Sequence, residues 1–550
     1  MQQSDVSGAI ASSMMFRPLL LAGILDYASD AYGYQQLVSC DEEGPLRQIS
    51  FRALRDRCLK VSALLRARYT VEPGERVATL AWTNRRHLEL YFAIPGLGAV
   101  IHTVNPRYSD EQIIMIINHA RDRIVLVDAD QEQRIRRLVA HCPSVEEVRV
   151  LDDGWDSDVD ATDPMQDWPE FPETSGSSMC YTSGTAGEPK GVIYSHRSTM
   201  LYALSGLATG KLGLHSQAST LMCVPMYHVN GWSKPFQAML SGAKIVLPGR
   251  QMDGESLLKI IDEQHVTCGF GVPTIWLSVV EAMRRHQRGP GSLSQIGFGG
   301  GAVPRSLLLA LRDEFGVAVE TGYGMTETTA GLALGSDGPD YWGASAEDQL
   351  DLLSRQRPIF GIELRSRDEA GDAVPADGIS AGELEVRGNF VIGSYYENTE
   401  ADQKAFTDDG WFRTGDAVSH DSMGRLRVED RLKDLIKSGG EWINSLALEQ
   451  AASGATGVAE AAVIGLPHPK WSERPLLVIR SVDRTEGDAE SIAAFLRGCV
   501  QSWWQPDAIV FVDAIPKTAT GKTDKKALRV MFEGCHYDES GALCGPNEDS

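Results

Sequence analysis

The chain has few cysteines, a deficit of positive charge and no long apolar run, and each shortage removes a class of function. Nine cysteines are scattered through 550 residues with no Cys-x-x-Cys pair and an odd total. That pattern fits reduced thiols in a cytoplasmic protein better than a disulfide framework or a thiolate metal cluster. Lys and Arg number 52 against 75 Asp and Glu, a formal net charge of −23. A field of that sign repels nucleic acid and anionic membranes, leaving only local cationic sites for anionic ligands. Residues 1–17 lack a basic segment followed by an apolar core, and the apolar stretch 18–25 is far shorter than the roughly 20 residues a membrane span needs. No signal, no integral membrane segment and no nucleic-acid partner are expected, and no internal repeat is visible.

What is present is enough apolar residue, 43%, to bury several cores, and a length beyond what one core usually serves. Residues 51–68 read as a helix and 76–80 and 123–127 as short apolar strands, a pattern for helices packed on a largely parallel sheet. The acidic segment 152–177, with its Pro, Gly and Ser, reads as a connector. Strands at 221–224, 243–247 and 267–271 alternate with helices at 254–264 and 304–315, a second layered α/β unit. Beyond about 358 the pattern changes to short strands and turns, at 382–388, 410–416 and 424–428, as in a small β-barrel or meander. The last 120 or so residues read as a small α+β set, with a loose tail from Cys535.

The densest chemistry lies at 181–192, Tyr-Thr-Ser-Gly-Thr-Ala-Gly-Glu-Pro-Lys-Gly-Val. Gly184, Gly187 and Gly191 allow backbone N–H groups to turn toward an anion; Thr182, Ser183 and Thr185 add hydroxyl donors, and Lys190 adds a cation. Lys190 is followed by Gly191, so the spacing is not Gly-x-x-x-x-Gly-Lys-Ser/Thr, and a different ATP chemistry is implied. Six further segments concentrate polar groups beyond structural need. Residues 225–232 set His228, Val229 and Trp232 behind a strand. Gly299, Gly300, Gly301 and Ala302 make a flat wall for a planar base. Thr321-Gly322-Tyr323-Gly324-Met325-Thr326-Glu327 offers an aromatic face, a hydroxyl and a carboxylate of the hardness Mg²⁺ prefers. Asp416 follows a tight turn and suits a ribose diol. Residues 430–442 and 516–522 gather cations near glycines.

In order and spacing these segments resemble the adenylate-forming superfamily of acyl-CoA synthetases, luciferases and nonribosomal adenylation domains, over about 15–529. Residues 194–198, 225–232, 437–442 and 464–471 look most like the medium- and long-chain fatty acyl-CoA synthetases, including the group acting on methylthio-propionate. The resemblance implies a large amino-terminal domain, 1–432, of two layered α/β subdomains plus a small barrel, and a small mobile carboxy-terminal α+β domain, 433–550. It implies ATP, Mg²⁺ and coenzyme A: a carboxylate attacks the α-phosphate to give acyl-AMP, and the thiol then displaces AMP. In that scheme 182–190 cradles the β- and γ-phosphates, with Thr185 and Glu327 at the metal and Thr326 at the α-phosphate. Lys522 bridges the attacking carboxylate and the α-phosphate, Asp416 and Arg431 bind the ribose, and Tyr323 stacks on adenine. Lys433 is the hinge, His228, Val229 and Trp232 wall and gate the acyl pocket, and Lys437 and Trp442 contribute to cofactor binding, with Asn230 as a polar support. A homodimer is a further implication.

The sequence departs from the family pattern in places. Ala186 replaces a threonine of the phosphate loop and Ala447 the first of two acidic residues, Glu449 being kept. Gln501 and Ser502 precede Trp503 where relatives commonly carry lysine. Lys234 stands at a position that is usually apolar, so it either lines the acyl channel or extends to solvent. The leading expectation is an acid–CoA ligase acting on a medium- to long-chain or bulky apolar acid. Its rivals are an acyl-AMP ligase loading a carrier protein, a luciferase-like oxygenase and an inactive nucleotide-binding scaffold.

Overall fold

The computed structural model describes residues 12–40, 46–182, 189–335, 339–439, 441–481, 489–518 and 521–545. Strands β1 (Gln36–Ser39) and β2 (Arg47–Ser50) form a hairpin that belongs to the larger of two central sheets. The smaller sheet follows: β3 (Arg76–Leu80), β4 (Val100–Thr103), β5 (Ile124–Asp128), β6 (Glu147–Leu151), β7 (Gly176–Tyr181) and β8 (Gly191–Ser195), in the order β6-β5-β3-β4-β7-β8. It is parallel except for the β7–β8 hairpin, whose turn carries the glycine-rich loop. These strands are almost wholly apolar because helices cover both faces.

The larger sheet continues with β9 (Ser219–Met222), β10 (Lys244–Leu247), β11 (Cys268–Gly271), β12 (Gln295–Phe298) and β13 (Ala318–Tyr323), all parallel. An antiparallel run is welded onto β13: β14 (Ala333–Gly335), β15 (Gln356–Pro358), β16 (Ile362–Arg367), β17 (Ala381–Gly388), β18 (Phe412–His420) and β19 (Leu426–Arg431). The order β16-β17-β18-β19-β15-β14-β13 is an open ladder, so the expected barrel or meander takes the meander form among the described residues. The helix expected at 304–315 forms as Arg305–Leu309 followed by a π-turn at Ala310–Glu314.

The two sheets clamp the helix Arg85–Gly96, all of whose residues are buried, Arg85, Arg86 and Glu89 among them. Burying such charges is tolerable only with partners. They come from the first part of the segment expected to be a connector, which folds into the helix Asp153–Asp160, capped by Asp152 and anchored by buried Trp155 and Val159, while 161–175 runs on to β7 without helix or strand. Its Asp156 lies 2.8 Å from Arg85, 2.8 Å from Arg86 and 2.6 Å from Arg57. A shortage of hydrophobic pattern hid an element whose purpose is counter-charge. One apolar core runs from Leu21 through Phe51, Leu65 and Ile94 to Ile245 and Phe270, joining the layers.

At Arg431 the chain leaves the large sheet, and at Ile436 it enters a five-stranded one. This sheet contains β20 (Ile436–Ser438), β21 (Glu441–Ile443), β22 (Val458–His468), β23 (Ser472–Ser481) and β24 (Ala508–Phe511). Separate apolar clusters cover its two faces, one centred on Ile443, Leu448 and Leu496 and the other on Ile464, Leu476 and Leu528. The tail expected to be loose is tied down: β25 (His536–Tyr537) pairs with β26 (Leu543–Cys544), Tyr537 is fully buried, and its hydroxyl donates to the Pro475 carbonyl at 2.9 Å. All nine cysteines are free thiols. Among the described residues no helix is long and apolar enough to cross a membrane.

Candidate active site

The carboxyl end of β13 and the β18–β19 pair bring three sequence-predicted groups together. Register sets Asp416 opposite Arg431, whose Nε lies 2.8 Å from Asp416 Oδ1, while the Tyr323 hydroxyl donates to Oδ2. Asp416 is 2% exposed, and burial raises its carboxyl against the opposing pull of Arg431, the Tyr323 bond and Lys522. Both oxygens are thus oriented before any ligand arrives, with lone pairs left over for a diol. The Tyr323 phenol serves to hold Asp416, a role that the expected adenine stacking did not include.

After β13 the chain turns sharply through Gly324, where a Cβ would fall 1.9 Å from the Ala330 carbonyl oxygen, so only glycine fits. The short 3₁₀ turn Thr326–Thr328 then buries Thr326 and Glu327. Tyr194 donates to the Thr326 carbonyl at 2.7 Å, and Tyr395 donates to Glu327 Oε1 at 2.7 Å. Burial raises the Glu327 carboxyl, opposed by the Tyr395 bond and the cations Arg431 and Lys190. Lys190 lies 4.7 Å from the centre of the Tyr395 ring. Glu327 accepts from Tyr395 and from its own backbone and keeps lone pairs of the hardness a divalent cation prefers, but among the described residues no group of three or more His, Cys, Asp or Glu side chains is placed to hold a metal ion. Tyr194 entered the sequence reading only as part of the 194–198 segment, with no role, and Tyr395 escaped it, since a tyrosine flanking an apolar stretch looks like core.

Lys522 reaches this cluster from the carboxy-terminal part. The turn that presents it closes with Thr518 N–H to the Lys522 carbonyl at 2.8 Å and Lys522 N–H to Thr518 Oγ1 at 3.2 Å. By surface area Lys522 is exposed, yet protein atoms crowd its ammonium at the cleft, and that desolvation together with the Arg431 cation pulls it down to about 8 against Asp416 and Glu327. Its Cε lies 3.6 Å from where a Cβ on Gly300 would sit. His228 faces the same cation: burial, then Lys522, lower its imidazole to about 3, so it is neutral at physiological pH.

Between His228 and the helix Lys234–Ser241 the backbone makes a left-handed turn: φ is +43° at Val229, +51° at Asn230, +58° at Gly231, +55° at Trp232 and +54° at Ser233. Each L-residue there costs on the order of 1–2 kcal/mol, and such strain persists only where neighbours over-determine it. Asn230 supplies the anchor, donating to Ser178 Oγ at 2.6 Å on β7. The turn swings the Trp232 ring against Gly299 and Gly300, 3.0 and 3.4 Å from their Cβ positions. Gly301 and Ala302 continue this wall.

Not every candidate joins the cluster. Ser183, Gly184, Thr185 and Gly187 lie outside the described residues, while Thr182 and Lys190 flank them, joined by Thr182 N–H to the Lys190 carbonyl at 2.9 Å. The Thr321 hydroxyl donates to the Leu353 carbonyl at 2.5 Å, leaving Thr321, Gly322 and Met325 to act through backbone. Lys437 and Trp442 sit on the exposed β20–β21 hairpin, ammonium 5.1 Å from ring centre, with no described contact to Asp416 or Glu327. Lys433 lies between the sheets, burial lowering its ammonium. Lys234 is 5% exposed on the first turn of a buried helix, so of its two alternatives the extension to solvent falls away.

The family model described as AMP-binding enzyme matches residues 29–396, and that described as AMP-binding enzyme C-terminal domain matches 447–522. A 3-methylmercaptopropionyl-CoA ligase of Ruegeria pomeroyi is 38% identical over 533 residues, 94% of this chain and 98% of that protein. A long-chain-fatty-acid–CoA ligase of Thermus thermophilus is 39% identical over 96% of this chain and 99% of its own. Among solved structures, an anthranilate CoA ligase in complex with anthranoyl-AMP superposes with a TM-score of 0.84 at 24% identity, over 94% and 98% of the two chains.

Proposed function

The chain belongs to the AMP-binding enzyme family, and from that premise we propose that it joins a largely apolar, medium- to long-chain or similarly bulky carboxylic acid to coenzyme A, with ATP as the activating substrate. The observation that carries the reading is Lys522, delivered from the carboxy-terminal part into the cleft that holds Asp416, Arg431 and Glu327. Two anions, an acid and a triphosphate, must meet there, so the work of the site is neutralisation and alignment.

In this reading Asp416, held by Tyr323 and Arg431, receives the ribose diol, and the Gly300–Gly301–Ala302 wall lies along the base. Thr326 and the 182–190 loop take phosphate oxygens. Glu327, with Thr185, would hold Mg²⁺, which when bound offsets phosphate charge. The Lys522 ammonium lies between the carboxylate and the α-phosphate, and acyl-AMP and pyrophosphate result. Neutral His228 and Trp232 wall the acyl group, keeping water from the adenylate. Rotation about Lys433, dividing 1–432 from 433–550, then withdraws Lys522 and admits the thiol, with Lys437 and Trp442 near the incoming coenzyme. We place the enzyme in the cytoplasm, where its substrates and nine free thiols fit, and expect two copies to associate.

The test is pyrophosphate release over a panel of acids, with and without coenzyme A. Thioester formation dependent on both is expected. Adenylate accumulation unaffected by coenzyme A would replace the reading with carrier loading, and silence with every acid would reduce the chain to a nucleotide-binding protein.

A further inference from the structure

Lys234 has one hydrogen-bond acceptor for three N–H donors: Gln237 Oε1 at 2.9 Å, one turn along the same helix. Its ammonium otherwise lies 4.5 Å from the centre of the Phe270 ring, and no carboxylate is within salt-bridge distance among the described residues. Two more buried polar atoms nearby in the fold lack partners, Ser233 Oγ and Glu320 Oε1. Burial raises the Glu320 carboxyl to about 8 despite Lys211 and Lys234, so it is a weak counter-ion at neutral pH.

These groups follow the cleft residues along one strand. Along β12 and the residues after it, Lys522 stands by Gly300, Trp232 lies on Gly299 and Gly300, and the Phe270 ring lies on Gly297, its Cδ1 2.5 Å from that Cβ position. Gly297 pairs with Phe270 on one side and Glu320 on the other. Gly297 and Gly299 project to the same face of the strand, about 7 Å apart at the usual rise per residue. A chain passing Trp232 along this glycine face therefore meets the Phe270 ring and, above it, Lys234.

We propose that Lys234 and Gln237 close the far end of the acyl site and select acids that carry a hydrogen-bond acceptor at the end remote from the reacting carboxylate. The inference rests on the ligase reading above. A plain alkyl terminus would bury an amine with two idle donors, whereas a carbonyl or carboxylate terminus completes it. Sites that hydrogen-bond a substrate group discriminate strongly against the analogue lacking it.

The experiment compares kcat/KM for alkanoates of about four to ten carbons with the matching acids bearing a penultimate ketone or a second carboxylate. At one length or more, the keto acid or diacid should exceed the alkanoate by about tenfold or more, the worth of a single well-made hydrogen bond. Whichever wins shows whether Lys234 acts as a neutral donor or as a cation. Lys234→Met should bring the ratio to one or below. Alkanoates matching the polar-tailed acids at every length in the unaltered enzyme would overturn the proposal while leaving the ligase reading intact, as would a preference that survives Lys234→Met. Absence of turnover with any acid would instead overturn both at the level of the reaction.

Discussion

Single residues carry the sharpest consequences, and Lys522 comes first. Its ammonium is held at about 8 before ATP binds, by enclosure and by Arg431. Because kcat/KM reports groups of the free enzyme, adenylation measured by pyrophosphate exchange should fall as pH rises through about 8. Lys522→Arg should remove that limb, since guanidinium stays charged. Lys522→Ala should lower adenylation on the order of 10²-fold or more while thioester formation from supplied acyl-AMP persists, the scale for losing one preorganised charge donor. Pyrophosphate release at the unaltered rate in the alanine variant would remove Lys522 from the chemistry. Lys234 gives a stability prediction of opposite flavour. Burial lowers it to about 7, whereas in the unfolded chain a lysine titrates near roughly 10.4. Between those values unfolding takes up a proton, so the burial penalty is complete below about 7 and absent above the higher value. Lys234→Met should therefore raise the melting temperature more at pH 6.5 than at pH 9; an equal gain at both would show that the amine stays protonated across that range in the folded protein. A costly buried amine fits a stability-for-function trade.

Among elements, the segment between β19 and β20 is the one whose conformation, in the proposed mechanism, decides which half-reaction is possible. It is tethered by Leu432 N–H to the Gly415 carbonyl at 3.0 Å and by Arg529, 2.7 Å from Asp434. In this arrangement Lys522 faces the cleft, as the proposed adenylation step requires. Lys433→Pro should spare adenylation and impair thioester formation, because proline fixes φ at the joint. Equal damage to both half-reactions, in single-turnover assays of each, would show a folding defect instead. The left-handed turn Val229–Ser233 is the other element under tension. Asn230→Ala should release it, raising KM for the acid, since Trp232 would lose its fixed seat on Gly299. Unchanged acid KM with an intact fold would mean that the turn is held by packing alone.

For the whole molecule, the open prediction is assembly. The chain mass is 60.0 kDa, and light scattering in solution should return about twice that. A value at the chain mass would refute pairing. The net charge of −23 gives the cleft its character by contrast: Lys190, Arg431 and Lys522 form a cationic focus in an otherwise repelling field, concentrating anionic substrates at one place. Raising ionic strength should therefore weaken apparent ATP affinity without changing which acid is preferred.

Much of this was legible in the chain itself. Helices Phe51–Tyr69 and Gly254–Gln264 follow from amphipathic spacing and their Ser50 and Asp253 caps, and β3 and β10 from short β-branched runs between turn residues. The order of the glycine-rich, Tyr323–Glu327, Asp416 and Lys522 segments fixed which residue types the chemistry would use, because those types are chosen for charge and flexibility, which local sequence displays. Their joining was decided only by the fold. Asp416 and Arg431 meet through antiparallel register, Tyr395 meets Glu327 across 68 positions, and Asp156 reaches Arg85 and Arg86 across about 70. Lys234 shows the limit most plainly. Its letter is equally at home in solvent or in a core, and only the packing of its helix against the helices Ala22–Ala31 and His196–Ala208 and against β9 and β10 removed the route to water, since burial is a property of what surrounds a residue and not of the residue.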